Sequence, residues 1–223
     1  MRQISVLGVP MADYSLREGL RLAESYMESD SLSTICYLNT ALLLKAKDDA
    51  AVREAISDMD MLVAGDDEIL KAGGISFGSR KREVEGGFFL RELLRRFAKE
   101  KRRIFIIANS QDELVTLRES FLSIADRLTF FGSYAYGDLS TSEDAIINEI
   151  NTVLPDVVIS LVESPVQELM VSRSKLMLNT KLWITLVPEA VSACCNKCTR
   201  KNPVLNFIER RIFRRTVKHF DND

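Results

Sequence analysis

A chain of 223 residues, 46% hydrophobic and 28% charged, can bury one substantial core and is not made like a disordered, collagenous or disulfide-stapled protein. Its 30 Lys and Arg against 32 Asp and Glu leave a formal net charge of -2, which argues against a nucleic-acid-binding protein. Four cysteines, Cys36, Cys194, Cys195 and Cys198, are too few and too clustered to staple a secreted fold, so reduced thiols are expected; only His219 could complete a zinc site, and no metal is expected.

The first predicted strand is Ile4–Leu7. Its apolar run is too short for a signal peptide and no later stretch approaches a membrane span, so a cytoplasmic protein is expected. Ser15-Leu16-Arg17-Glu18 reads as a capping box that opens a helix, Ser15 accepting from the Glu18 amide while Glu18 reaches back. Strands follow at Thr34–Leu38 and Met61–Val63. From Gly73 to Gly87 the chain is Gly-rich, basic and short of apolar periodicity, which predicts a mobile surface loop. Beyond Arg103 the pattern alternates cleanly. Short β-branched and aromatic runs at Arg103–Ile107, Leu128–Phe131 and Val157–Leu161 are separated by amphipathic segments of helical period. The expected class is therefore α/β, a Rossmann-like, largely parallel sheet with crossover helices.

The composition shifts after Val191, where Lys197, Arg200, Lys201, Arg210, Arg211, Arg214, Arg215 and Lys218 face only Glu209 and the terminal aspartates. A core over residues 1–192 and a basic, helical appendage over 193–223 are expected. At about 100° per residue, Arg210, Arg214, Lys218, Arg211 and Arg215 fall on one arc of a helix. Leu205, Ile208, Ile212, Phe213, Val217 and Phe220 fall on the other, interrupted by Glu209 and His219, while Phe207 lies on the basic side. Two readings fit: a helix lying in an anionic membrane interface, or an ordinary amphipathic helix packed on the core.

In open parallel sheets ligands collect beyond the carboxyl ends of the strands, and three places there carry chemistry. Asn39 and Thr40 either bind a ligand or cap a helix. Asp66, Asp67 and Glu68 either supply a general base or complement a helix dipole. Glu163-Ser164-Pro165-Val166-Gln167-Glu168 reads as a helix start with Ser164 as cap, Pro165 first and Gln167 third, and such a start also offers amides to a diphosphate. Gly-rich phosphate loops, Ser/His/Asp spacing and metal-ligand pairs do not occur, which disfavours kinases, dinucleotide dehydrogenases and triad hydrolases. His219 reads as a packing residue.

The opening Ser5-Val6-Leu7-Gly8-Val9-Pro10-Met11, followed by Tyr14-Ser15-Leu16-Arg17-Glu18-Gly19-Leu20, resembles the start of the WecG/TagA/CpsF glycosyltransferase family. Later features keep the family order: Leu38-Asn39, the turn at Gly65-Asp66, Gly132 to Gly137, Leu154-Pro155-Asp156, Ser164-Pro165 with Gln167-Glu168, and an Arg-rich tail. The resemblance implies an inverting, metal-free transfer of an N-acetylhexosamine-type sugar from a UDP donor to an undecaprenyl-diphosphate-linked acceptor. That chemistry serves cell-wall or surface polysaccharide synthesis at the inner face of the membrane, with no cofactor besides the UDP-sugar. It also implies an Asp after the third strand as base, a part open to Asp66 if the turn slips by one residue, and tail arginines that steady the departing diphosphate, a part open to some of Arg210, Arg211, Arg214 and Arg215. Asn39, Thr40, Ser164 and Gln167, by their places beyond the strands, and Arg82 are the substrate-binding candidates. The chain departs from the pattern where the family's catalytic Asp aligns with Gly65. Glu83 and Phe88 replace the charged ends of an Arg-Val-x-Gly-x-Asp run, with Arg82 next door. Glu163 stands for a Gly, Val166 for a Lys, and Pro188–Ser192 for a Gly-Gly-Ala-Phe-Asp loop. A second reading follows from these exchanges: a catalytically silent homologue that keeps the fold as a membrane-surface partner or regulator. Self-association is left open.

Overall fold

The computed structural model describes residues 2–75, 78–137, 142–195 and 203–220, apart from the side chains of residues 203–209 and 219. Lys197, Cys198, Arg200 and Lys201 lie outside the described residues.

The strand expected near Ile4 is one arm of an antiparallel hairpin, β1 (Arg2–Val6) and β2 (Val9–Asp13), that stands apart from the main sheet. Leu7 and Gly8 close it, both at positive φ (51° and 80°), as a tight two-residue turn between right-twisted strands requires. Helix α1 (Leu16–Glu28) then begins at the predicted capping box. The Ser15 amide donates to Glu18 Oε2 (2.9 Å) and the Glu18 amide to Ser15 Oγ (3.4 Å).

The main sheet has six parallel strands, β3 (Ser33–Leu38), β4 (Met61–Ala64), β5 (Arg103–Ala108), β6 (Thr129–Ala135), β7 (Val157–Leu161) and β8 (Leu182–Thr185), in the order β4-β3-β8-β7-β5-β6. Five of the six coincide with the expected runs. Strand β8 does not. Its four residues, Leu-Trp-Ile-Thr, are all buried, and a short apolar run covered on both faces shows no alternation to read.

Side chains alternate between two apolar layers, as a pleated strand demands. Ile35, Tyr37, Ile104, Ile106, Ile159 and Ile184 pack under α1, α6 (Phe88–Lys99), α7 (Gln111–Leu122) and α10 (Pro188–Cys195). Cys36, Leu38, Phe105, Val158 and Trp183 pack under α2 (Thr40–Asp48), α3 (Ala50–Ser57), α4 (Asp67–Ala72), α8 (Glu143–Val153), α9 (Val166–Ser174) and α11 (Pro203–Phe220). The result is the expected α/β architecture, a parallel sheet flanked by helices, with a C-terminal helix.

Two local outcomes differ from the sequence reading. The segment expected as a loop contains α5 (Gly78–Glu85), which buries none of its residues. Charge pairs hold it instead: Arg80 bonds both Asp13 and Glu83, and Lys81 pairs with Glu85 one turn on, so hydropathy had nothing to report. The tail helix α11 lies on the core. Phe213 is buried to 1% exposure, while Ile212 (50%) and Phe220 (45%) from the same predicted apolar arc remain open to solvent. Helix α10 runs on to Cys195. Among the described residues no helix is long and apolar enough to cross a membrane.

Candidate functional site

The carboxyl ends of β3, β4 and β8 deliver three side chains to one place. Asn39 caps α2, Oδ1 accepting from the Leu42 amide (2.9 Å), and its Nδ2 donates to Glu189 Oε2 (3.0 Å) at the start of α10. Thr40 follows as the first residue of α2, buried at 4% exposure. Asp66 caps α4, its Oδ1 accepting from the amides of Glu68 (3.0 Å) and Ile69 (3.2 Å), while Oδ2 makes no hydrogen bond among the described residues. Burial pushes the Asp66 carboxyl up to about 6; Glu189 adds to the rise, and the capping amides and Arg210 oppose it. A carboxyl with that value is ionised at neutral pH yet basic enough to take a proton, which is the requirement for a general base.

Helix α11 lies against α2 and α4, and Arg210, Arg211, Arg214, Arg215 and Lys218 line a shallow basic hollow along it. Arg214, largely exposed itself, covers the buried Glu68: its Nε and Nη2 each donate to that carboxylate across 2.6 Å and hold it down to about 2. Arg211 and Arg215 are exposed. The structure thus gathers Asn39, Thr40, Asp66 and Arg210 and leaves three other candidates elsewhere. Arg82 is exposed on α5, with Nε donating to the Gly78 carbonyl (3.2 Å).

Ser164 does not cap α9. The Ser164–Pro165 bond is cis, Pro165 holds the cap position, and Ser164 Oγ donates to Glu168 Oε1 (3.0 Å), drawn to a buried acceptor rather than to the helix amides. Gln167, 0% exposed, uses its whole hydrogen-bonding capacity inside the protein. Its Oε1 accepts from Ser160 Oγ (2.8 Å) and the Val162 amide (3.2 Å), and its Nε2 donates to Glu168 Oε1 (3.0 Å) and the Leu186 carbonyl (2.9 Å). Burial raises the Glu168 carboxyl to about 7. These two residues brace the ends of β7 and β8 beneath the site.

Glu189 is the member that sequence reasoning missed as a site residue. Its signal was Pro188, a proline at the first position of a helix, but that reads as a strand-to-helix junction only once β8 is recognised.

Gly65 also lines a narrow cleft together with Met11, Tyr14, Tyr37, Val63 and Phe89, where the Asp13–Arg80–Glu83 ion pairs contribute to the wall. The Tyr37 hydroxyl is buried there without a hydrogen-bond partner. Gly65 itself is fixed by backbone proximity: its amide donates to the Leu38 carbonyl (2.7 Å), and a Cβ would stand 2.6 Å from that oxygen and 2.7 Å from Val187 Cγ2. No side chain fits at 65 without a shift, and Asp66 is the first acid of the turn.

The fold is α/β with a parallel sheet, and the candidate site lies over the carboxyl ends of its strands. The model of the glycosyl transferase WecG/TagA/CpsF family matches residues 4–187, more than four fifths of the sequence, and the chain belongs to that family. The match runs from β1 to the end of β8 and leaves α10 and α11 outside it. No curated protein matches the sequence.

Proposed function

We propose that the chain is an inverting, metal-independent glycosyltransferase that moves an N-acetylhexosamine-type sugar from a UDP donor to an undecaprenyl-diphosphate-linked acceptor in surface polysaccharide synthesis. The observation that carries this reading is Asp66: a buried carboxyl raised to about 6, with Oδ2 unengaged among the described residues and Arg210 close enough to act on it. Asp66 takes the proton of the acceptor hydroxyl as that oxygen attacks the anomeric carbon from the face opposite UDP. The bond to UDP breaks as the new glycosidic bond forms, and the configuration inverts. Arg210, with Arg211 and Arg215, offsets charge on the departing diphosphate. No cofactor besides the donor and no nucleic acid enters the reading.

A titration with UDP and a panel of UDP-sugars tests it. A donor at a hundredfold excess over its Kd should add about 2.7 kcal/mol to apparent stability in a thermal-shift experiment. Silence across the panel would favour the second reading, a silent homologue. That reading draws support from Glu83, which is engaged with Arg80 in the cleft wall, and from Glu163, an exposed carboxylate at the end of β7.

The basic hollow along α11 supports a partner in the form of an anionic membrane surface, each basic residue near it contributing about 1 kcal/mol at low screening. The intact protein is expected to co-sediment with anionic vesicles, the chain shortened before Pro203 is not, and added salt should weaken the binding. Equal sedimentation of both chains, or indifference to lipid charge, removes the membrane from this account.

A further inference from the structure

Glu68 is 2% exposed, and a carboxylate so placed needs partners for both oxygens. Arg214 supplies them in a fork-on-fork pair, Nε to Oε2 and Nη2 to Oε1, each 2.6 Å, and Lys71 Nζ adds a third bond to Oε1 (2.9 Å). Three features turn this pair into more than a surface contact. The residue beside Arg214 is Phe213, buried in the core, so α11 is pinned at two adjacent points. Arg210 lies one turn back on the same face of α11, and its charge reaches Asp66. Glu68 sits two residues after Asp66, its amide held by Asp66 Oδ1, so the clasp grips the same turn that Asp66 caps.

We propose that Glu68 is a positioning residue: by clasping Arg214 it fixes α11 so that Arg210 stands beside Asp66. The proposal rests on Asp66 as the base. It also reassigns Arg214, which holds the tail to the core while Arg210, Arg211 and Arg215 are left to meet a diphosphate. The groups that set the electrostatics of Asp66 are Glu189 on α10, Arg210 on α11, the neutral Asn39 on α2, and Asp67, Glu68 and Lys71 on its own helix, where Lys71 neutralises its two acidic neighbours.

The test compares the full chain with Glu68→Ala, Arg214→Ala, the double variant and the conservative Arg214→Lys. The readouts are amide hydrogen exchange across residues 205–220 and the titration of the Asp66 carboxyl carbon by NMR, neither of which needs activity. Each single Ala variant should speed exchange in α11 about tenfold while leaving β3 and β7 protected, a modest factor because the Arg214 side chain is 60% exposed and screened. Loss of Arg210 from the neighbourhood should move the Asp66 midpoint upward from about 6. The double variant should lose no more than either single one, and Arg214→Lys should recover part of both effects. Unchanged exchange in α11 in both single variants, or an undocked α11 with the Asp66 midpoint still in place, overturns the proposal. Where a sugar nucleotide is turned over, kcat/KM should fall in step with undocking. A chain that turns over none fails the transferase reading while the clasp still stands or falls on the two other readouts.

Discussion

Asp66→Asn is expected to lower turnover by about 10²–10⁴-fold while leaving UDP binding almost unchanged, as loss of a general base does. The parent should show an acidic limb in its rate profile with a midpoint near 6, and the variant should lose that limb. Stability should move the other way. In the fold Asp66 ionises near 6 and in the unfolded chain near its ordinary 3.8, so between those values the unfolded chain releases its proton first and stability falls as pH rises. Asn keeps the capping oxygen and has no charge to bury. The variant should therefore gain on the order of 2 kcal/mol at pH 7 by urea unfolding, a gain that vanishes below about pH 4. An unchanged rate would exclude Asp66 and turn attention to Asp67, although its Oδ2 is paired with Lys71 at 2.6 Å.

Gln167→Ala is expected to destabilise the fold by about 3–5 kcal/mol, measured as a lower urea midpoint with an unaltered slope. The side chain closes four hydrogen bonds at full burial, and its removal orphans the Val162 amide and the Leu186 carbonyl while taking a donor from Glu168. The Glu168 carboxyl, already near 7, should titrate higher still in the variant. A loss below about 1 kcal/mol would mean that water restores those bonds in place of the amide and that the brace is dispensable.

The sheet was legible wherever a strand carried a contrast. Five runs stood out against amphipathic helices because β-branched and aromatic residues were bounded by polar turns. The hairpin arm Val9–Asp13 carries a proline and an alanine, and β8 is only four residues long, so neither offered a period. Helix α5 was invisible for a different reason: it has no apolar face, its pairs with Glu83 and Glu85 are internal to it, and the Arg80–Asp13 pair that ties it to the hairpin spans 67 residues and leaves no local trace. In the site, Asn39 and Asp66 were legible because a polar residue directly after a buried strand has few other uses, and both act as helix caps as well. Gln167 was misjudged because Ser-Pro-x-Gln reads locally as a helix start, whereas its partners come from β7 and from Leu186, which the chain reaches only after α9. Ser164 followed the same error.

Strand β8 is the last strand of the sheet to be made and yet an interior one, bonded to β3 along 33–36 and to β7 along 157–160. During synthesis the β3–β4 pair and the β7-β5-β6 group therefore wait as two separate fragments, each with a bare edge, until Leu182–Thr185 has left the ribosome. Insertion of Leu182–Thr185 joins them in one stroke, sets the Leu186 carbonyl on Gln167, and brings Val187 against Gly65 and Glu189 to Asn39. A nascent chain stopped short of Leu182 has neither a continuous sheet nor a floor for its candidate base, so holdase protection of the β3 and β7 edges matters most in that interval.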